Sequence, residues 1–188
     1  YFLMRDMVLG QDASFTIDTF IRRYNSDLAN DFGNLVNRVT ILIRKHFDGI
    51  IPVPGKYDEI DLKLIAKSKS TPQKVRSMID DLRINEAIES SLDLVRSINR
   101  YLEVKEPWKQ VKNDKSHKSS AATTLALSID ILRITAQLLH PVMPNRIESI
   151  LQILGADDIP VSNYSVGLLK SGTALGEGKS PFPRIETP

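Results

Sequence analysis

In the stretch YNSDLANDFGNLVNR, residues 24–38, Asn34 and Arg38 stand one helical turn apart. At about 100° per residue both fall on the flank of the apolar stripe Leu28, Phe32, Leu35 and Val39, beside the core without entering it. A carboxamide beside a guanidinium is an array of donors with one acceptor, a set suited to the edges of unpaired bases. Asn25, Asn30 and Asn37 have the plainer reading of caps or inter-helix hydrogen bonds. The sole tryptophan, Trp108, follows Pro107 in EPWKQVK. Proline there suits the first turn of a helix, and a tryptophan beside it commonly packs on a bundle as a plug. Its setting is basic, however: Arg100, Lys105, Lys109, Lys112, Lys115 and Lys118 face Glu103, Glu106 and Asp114, a local charge of +3. An indole in a basic field can stack a base while the cations hold phosphates, the stacking contributing roughly 1–3 kcal/mol.

Other residue types point to less. The formal charge is +2, so attraction to nucleic acid must come from a local face. There are no cysteines, which excludes disulfides and thiolate metal sites and fits a reducing compartment. His46, His117 and His140 have no paired ligand spacing, so no metal site is expected. Asp80 and Asp81 lack partners for acid/base work and read as solvent-facing charge. GTALGEGKS looks like a phosphate-binding loop, but the place that needs a glycine holds Thr173, and Pro181 follows too soon for a helix. KSKS at 67–70 reads as a solvated loop before a helix cap. No apolar run reaches the roughly 18 residues that span a bilayer, and YFLMRDMVLG lacks the layout of a signal peptide. It also lacks an initiator Met, so a piece of a longer polypeptide is expected.

The elements that must position these groups are helices. Leu28, Phe32, Leu35, Val39 and Leu42 alternate steps of four and three, one stripe of a long helix ending near Phe47, where DGIIPVPG stops it. A second helix is expected to start at Pro72. Ile84, Ile88, Leu92, Val95 and Leu102 mark another. ATTLALSIDILRITAQLLH is apolar on two sides, Leu125/Ile129/Leu132 and Leu127/Ile131/Leu138, and should be central. A last helix runs from Pro144 to Leu154 and ends at Gly155, a residue suited to a left-handed cap. The sequence therefore predicts an all-α, up-and-down bundle of about five main helices over 1–155, followed by a Gly/Pro/Ser-rich tail, 156–188.

YNSDLANDFGNLVNR, the EPWK element, HPVMP before the last helix and FPRIE at the end together resemble the anticodon-binding domain of bacterial-type methionyl-tRNA synthetases. YFLMRDM resembles the family's junction just after the catalytic core. The resemblance covers nearly the whole chain and is weakest over 56–70. It implies the helical bundle of class I synthetases and a parent enzyme that uses ATP, with Mg, to join methionine to its tRNA through methionyl-adenylate. The bundle's part is to recognise the CAU anticodon of tRNA(Met). Position by position, the anticodon-reading asparagine and arginine fall on Asn34 and Arg38, and the tryptophan that stacks on the first anticodon base falls on Trp108, preceded by Pro107; Arg100 is near that site by sequence. HIGH and KMSKS are missing, so no catalytic residue and no cofactor is expected in this stretch, which should be inactive alone. The implied partners are the anticodon loop and the enzyme's own catalytic domain, against which the family's tail braces the bundle; the implied setting is cytoplasmic, with no membrane. Two other readings stay open here: the anticodon domain of an isoleucine, valine or leucine synthetase, and a helical protein-interaction module.

Overall fold

The computed structural model of the chain describes residues 1–111, 115–178 and 181–186, those of 115–117 by their backbone. In chain order the helices are α1 (Phe2–Asp6), α2 (Ile17–Arg23), a π-helical segment (Tyr24–Gly33), α3 (Asn34–His46), α4 (Glu59–Asp80), α5 (Ile84–Lys105), α6 (Pro107–Gln110), α7 (Lys115–Leu139) and α8 (Pro144–Leu154). α2, the π segment and α3 form one continuous rod, so the first long helix starts earlier than its stripe suggests and changes register inside the Asn-rich phrase. Leu28, Phe32, Leu35 and Val39 are all buried. The only extended pairing among the described residues is a bridge between Ile50 and Ala174.

The expected central helix is central. α7 packs against α3, α4, α5 and α8, and Leu125, Leu127, Ile129, Ile131 and Leu132 are buried on both its faces. Contrary to the reading that no run is long enough, Lys118–Leu139 does have the length and composition to cross a bilayer. Its most apolar window is 94% buried in the bundle, the usual reason a globular core helix is apolar all round. α8 ends as expected, with Gly155 at φ 69°.

Two expectations fail at α4. The helix does not begin at Pro72; it begins after Asp58, whose carboxylate accepts from the Ile60 and Asp61 amides while the Asp61 side chain accepts from the Asp58 amide. KSKS is accordingly not a loop. Ser68 is buried, Lys67 pairs with Asp93 at 2.5 Å, and Pro72 lies inside the helix. An interior proline costs about 3 kcal/mol. Burial of Leu64, Thr71 and Val75 along the same face holds the helix together, and the Thr71 and Ser68 hydroxyls donate back to Lys67 O and Ile65 O.

Beyond α8 the chain lies against the helices. Arg133, fully buried on α7, donates to Asp130, to Gln137 Oε1 and to the carbonyls of Asn163 and Ser165, while Asp130 accepts from the Gly167 and Leu169 amides. The Ile51 amide bonds Thr173 O and the Leu175 amide bonds Gly49 O. GTALGEGKS is non-helical over its described residues, 172–178; Lys179 and Ser180, where a phosphate loop would start its helix, lie outside the described residues. Gly176 is needed for contact, since a Cβ there would sit 2.1 Å from Gln152 O. Phe182 is buried against Phe32, ring centroids 5.8 Å apart, and meets Tyr24 edge-on.

Candidate nucleic-acid interface

Glu106 sets the direction of the tryptophan. It closes α5 and opens α6 in the left-handed region, φ 45° and ψ 52°, which is costly for a residue with a side chain. The turn is held by the Glu106 amide on Leu102 O at 2.8 Å and by Gln110 Nε2 on Lys105 O at 2.7 Å. Pro107 is buried at the first position of α6, which leaves Trp108 half-buried, its ring resting on the core. The indole is therefore neither a sealed plug nor a free flag.

Asn34 and Arg38 are both exposed, at the first turn and the next of α3. The Arg38 guanidinium carbon stands 5.6 Å from the Trp108 ring centroid, a cation–π contact that joins two segments 70 positions apart in the chain. Of the five residues singled out from sequence, the fold brings Arg38 onto Trp108, with Asn34 one turn from Arg38 and Pro107 buried just before the tryptophan. Arg100 is turned elsewhere: its Nη2 donates to Ser97 Oγ at 3.1 Å and lies 3.6 Å from Asp93, facing α4.

The basic field is smaller than the sequence suggests. Lys105 is a core cation, 9% exposed, with Nζ 2.6 Å from Asp58 and 2.7 Å from Asp61. Lys109 pairs with Glu106 at 2.6 Å, and Lys118 lies 5.5 Å from the Phe47 ring. Lys112 and the side chain of Lys115 lie outside the described residues. Lys105 is lost to the field because it closes α5 against the acidic first turn of α4, whereas Lys109 stays exposed beside its own cap residue Glu106.

The asparagines divide by neighbour. Asn25 forms a two-way pair with the Ile185 backbone, Nδ2 to O at 2.8 Å and Ile185 N to Oδ1 at 2.9 Å, which mimics a strand pairing and ties FPRIE to the rod. Asn30 and Asn34 are exposed. Sequence reading missed Asp27, 2% exposed, which accepts from the Tyr1 hydroxyl at 2.6 Å and has Arg96, Arg5 and Arg23 at 3.5, 3.7 and 3.8 Å. An aspartate beside the apolar stripe was the available signal; its partners come from three helices, α1 with its cap Tyr1, α2 and α5.

A family model described as the anticodon binding domain of methionyl tRNA ligase matches residues 51–186, and one for class I tRNA synthetases of the methionine type matches residues 1–40. The chain belongs to the methionyl-tRNA ligase family. It is 38% identical over 188 residues to the methionine–tRNA ligase of Caldanaerobacter subterraneus subsp. tengcongensis, covering 99% of this chain and 29% of that protein. With the Mycobacterium tuberculosis enzyme it shares 34% identity over 190 residues, covering 100% of this chain and 37% of that one. The chain thus spans about a third of the length of these relatives. The fold matches the apo form of the M. tuberculosis methionyl-tRNA synthetase with a TM-score of 0.94 at 34% identity, over 100% of this chain and 38% of that chain. It matches the same enzyme bound by methionyl-adenylate with a TM-score of 0.93, over 97% of this chain and 37% of that chain. Membership in the methionine family sets aside an isoleucine, valine or leucine synthetase.

Proposed function

We propose that this bundle is the anticodon-recognition part of a longer methionine–tRNA ligase and that it reads the CAU anticodon of tRNA(Met). The observation that carries the reading is the Arg38 guanidinium over the half-buried Trp108 indole, with Asn34 one turn away on the same exposed edge. In this reading the guanidinium holds the indole face until a base arrives. An exposed cation–π contact is worth about 0.5–1 kcal/mol, and base–aromatic stacking roughly 1–3 kcal/mol, so the exchange favours the base. Displaced from the ring, Arg38 is still within reach of the edge of that base, the first-position cytosine, and Asn34 supplies a carbonyl and an amide for the same loop. Pro107, buried at the first position of α6, fixes where the tryptophan leaves that helix. Arg100, engaged with Asp93, contributes positive potential on the flank and not an edge contact.

The whole reaction belongs to the parent enzyme: ATP, with Mg, and methionine give methionyl-adenylate, then methionyl-tRNA, AMP and diphosphate, in a catalytic domain that partners this bundle in the cytoplasm. Selection by the bundle acts through hydrogen bonds that the wrong base leaves unmade, each unpaired buried group costing about 1–3 kcal/mol. The test is charging of tRNAs with CAU and with altered anticodons by the full-length ligase carrying Asn34→Ala or Arg38→Ala. Loss of discrimination is expected. An equal loss for every tRNA would reduce both residues to electrostatic contacts and refute edge reading.

A further inference from the structure

Along the rod from α2 to α3, every fourth residue is polar and exposed: Arg22, Ser26, Asn30, Asn34 and Arg38. In a plain α-helix such a row drifts by about 40° per step. The π segment, with its wider i→i+5 register, offsets that drift between Tyr24 and Gly33. The row therefore continues, on one side of the rod, beyond the pair next to Trp108.

At its far end Arg22, Ser26 and Asn30 line a cleft of about 420 Å³ with Asn25, Asp18 and, from the C-terminal segment, Arg184. Arg184 is delivered there by its neighbours, Ile185 paired to Asn25 and Phe182 buried under Tyr24 and Phe32. Several other arginines are committed: Arg5, Arg23 and Arg96 surround Asp27, Arg83 pairs with Asp81 and Glu86, and Arg133 pairs with Asp130. Arg22 and Arg184 are exposed and have neither an ion pair nor a hydrogen bond among the described residues. With Asp18 counted, the cleft keeps a net positive charge. Two uncommitted guanidinium groups beside the Ser26 hydroxyl and the exposed Asn30 carboxamide match phosphate oxygens and ribose hydroxyls, while the Asn25 carboxamide is held by Ile185.

We propose that this cleft binds the ribose–phosphate backbone of the tRNA on the stem side of the anticodon loop. Arg22 precedes Asn34 by 12 residues, at most about 18 Å along the rod at 1.5 Å per residue, or about five steps at 3.4 Å per nucleotide. The orientation of the RNA rests on the reading of Asn34, Arg38 and Trp108 given above; the phosphate chemistry does not.

The test measures tRNA binding by the full-length protein over a salt series, with Arg22→Ala/Arg184→Ala and Arg22→Lys/Arg184→Lys. The alanine pair is expected to weaken binding about tenfold by the same factor for CAU and altered anticodons, and to flatten the slope of log K against log salt by about 1.4–1.8. The lysine pair keeps most of that slope. A hairpin with the loop and only two base pairs of stem binds the wild type and the alanine pair equally. An unchanged slope, a loss that depends on the anticodon, or a lysine pair as weak as the alanine pair overturns the proposal. So does normal RNA binding with a lowered melting temperature, which makes the cleft a protein contact. If Asn34→Ala leaves discrimination intact while the alanine pair still flattens the slope, base reading fails and the backbone cleft stands.

Discussion

Trp108 is asked to do two things at once, to pack and to present a face, and its half-burial sets how a substitution divides between them. Trp108→Ala is expected to lower tRNA affinity roughly 5- to 150-fold, the stacking contribution of about 1–3 kcal/mol, while far-UV circular dichroism keeps the helical content. A collapse of helicity would make the ring a core plug after all. Arg38→Lys keeps the charge but loses the plane that lies over the indole, so discrimination should fall nearly as far as in Arg38→Ala. Asp27 is different in kind: nothing about it concerns RNA. Asp27→Asn removes the one charge that three arginines and a tyrosine share, and the loss is expected to cost about 3 kcal/mol in urea unfolding.

Among the elements, α4 shows most directly how local signals compete. Proline is the stronger helix-start signal in isolation, but Asp58 and Asp61 form a reciprocal cap and the buried face beyond Pro72 keeps the helix going. The Lys105 ammonium, together with the amides of Asp61 and Ile60, holds the Asp58 carboxyl below its ordinary value. A carboxyl lowered on folding stabilises the protein above its unfolded value of about 3.9, and that contribution is lost as pH falls through the lower folded value. The melting temperature should therefore hold down to about pH 4 and drop below it, with a shallower acid drop in Asp58→Asn. Lys105 has the opposite sign. Its carboxylate partners, acting against burial, raise its ammonium above the ordinary range, so its contribution is complete below about pH 10 and disappears as pH rises through the folded value.

At the scale of the molecule, the chain after α8 is held at four places: Arg133 with Asp130 at 163–169, the backbone of 49–51 at 172–175, Gly176 against α8, and Asn25 with Phe182 at the C-terminal segment. The last of these is what puts Arg184 beside Arg22. Gly176→Val should push the segment off α8, seen as faster cleavage between 170 and 186 in limited proteolysis with the helices still intact. If cleavage is unchanged, the close approach to Gln152 is not what holds the segment.

Periodicity in the sequence was enough for the helical class, the central place of α7, the end of α8 at Gly155 and the pair Asn34 and Arg38, because each depends only on residues three or four apart in one segment. It was not enough for the start of α4, the role of KSKS or the inward turn of Lys105, since each is decided by a partner from another helix that outweighs the local preference. That Arg38 lies on Trp108, that Asn25 clasps Ile185, and that Arg184 joins Arg22 are facts of tertiary structure alone. They bring together positions 70, 160 and 162 residues apart, and only the packing of the helices decides which distant side chains share one face.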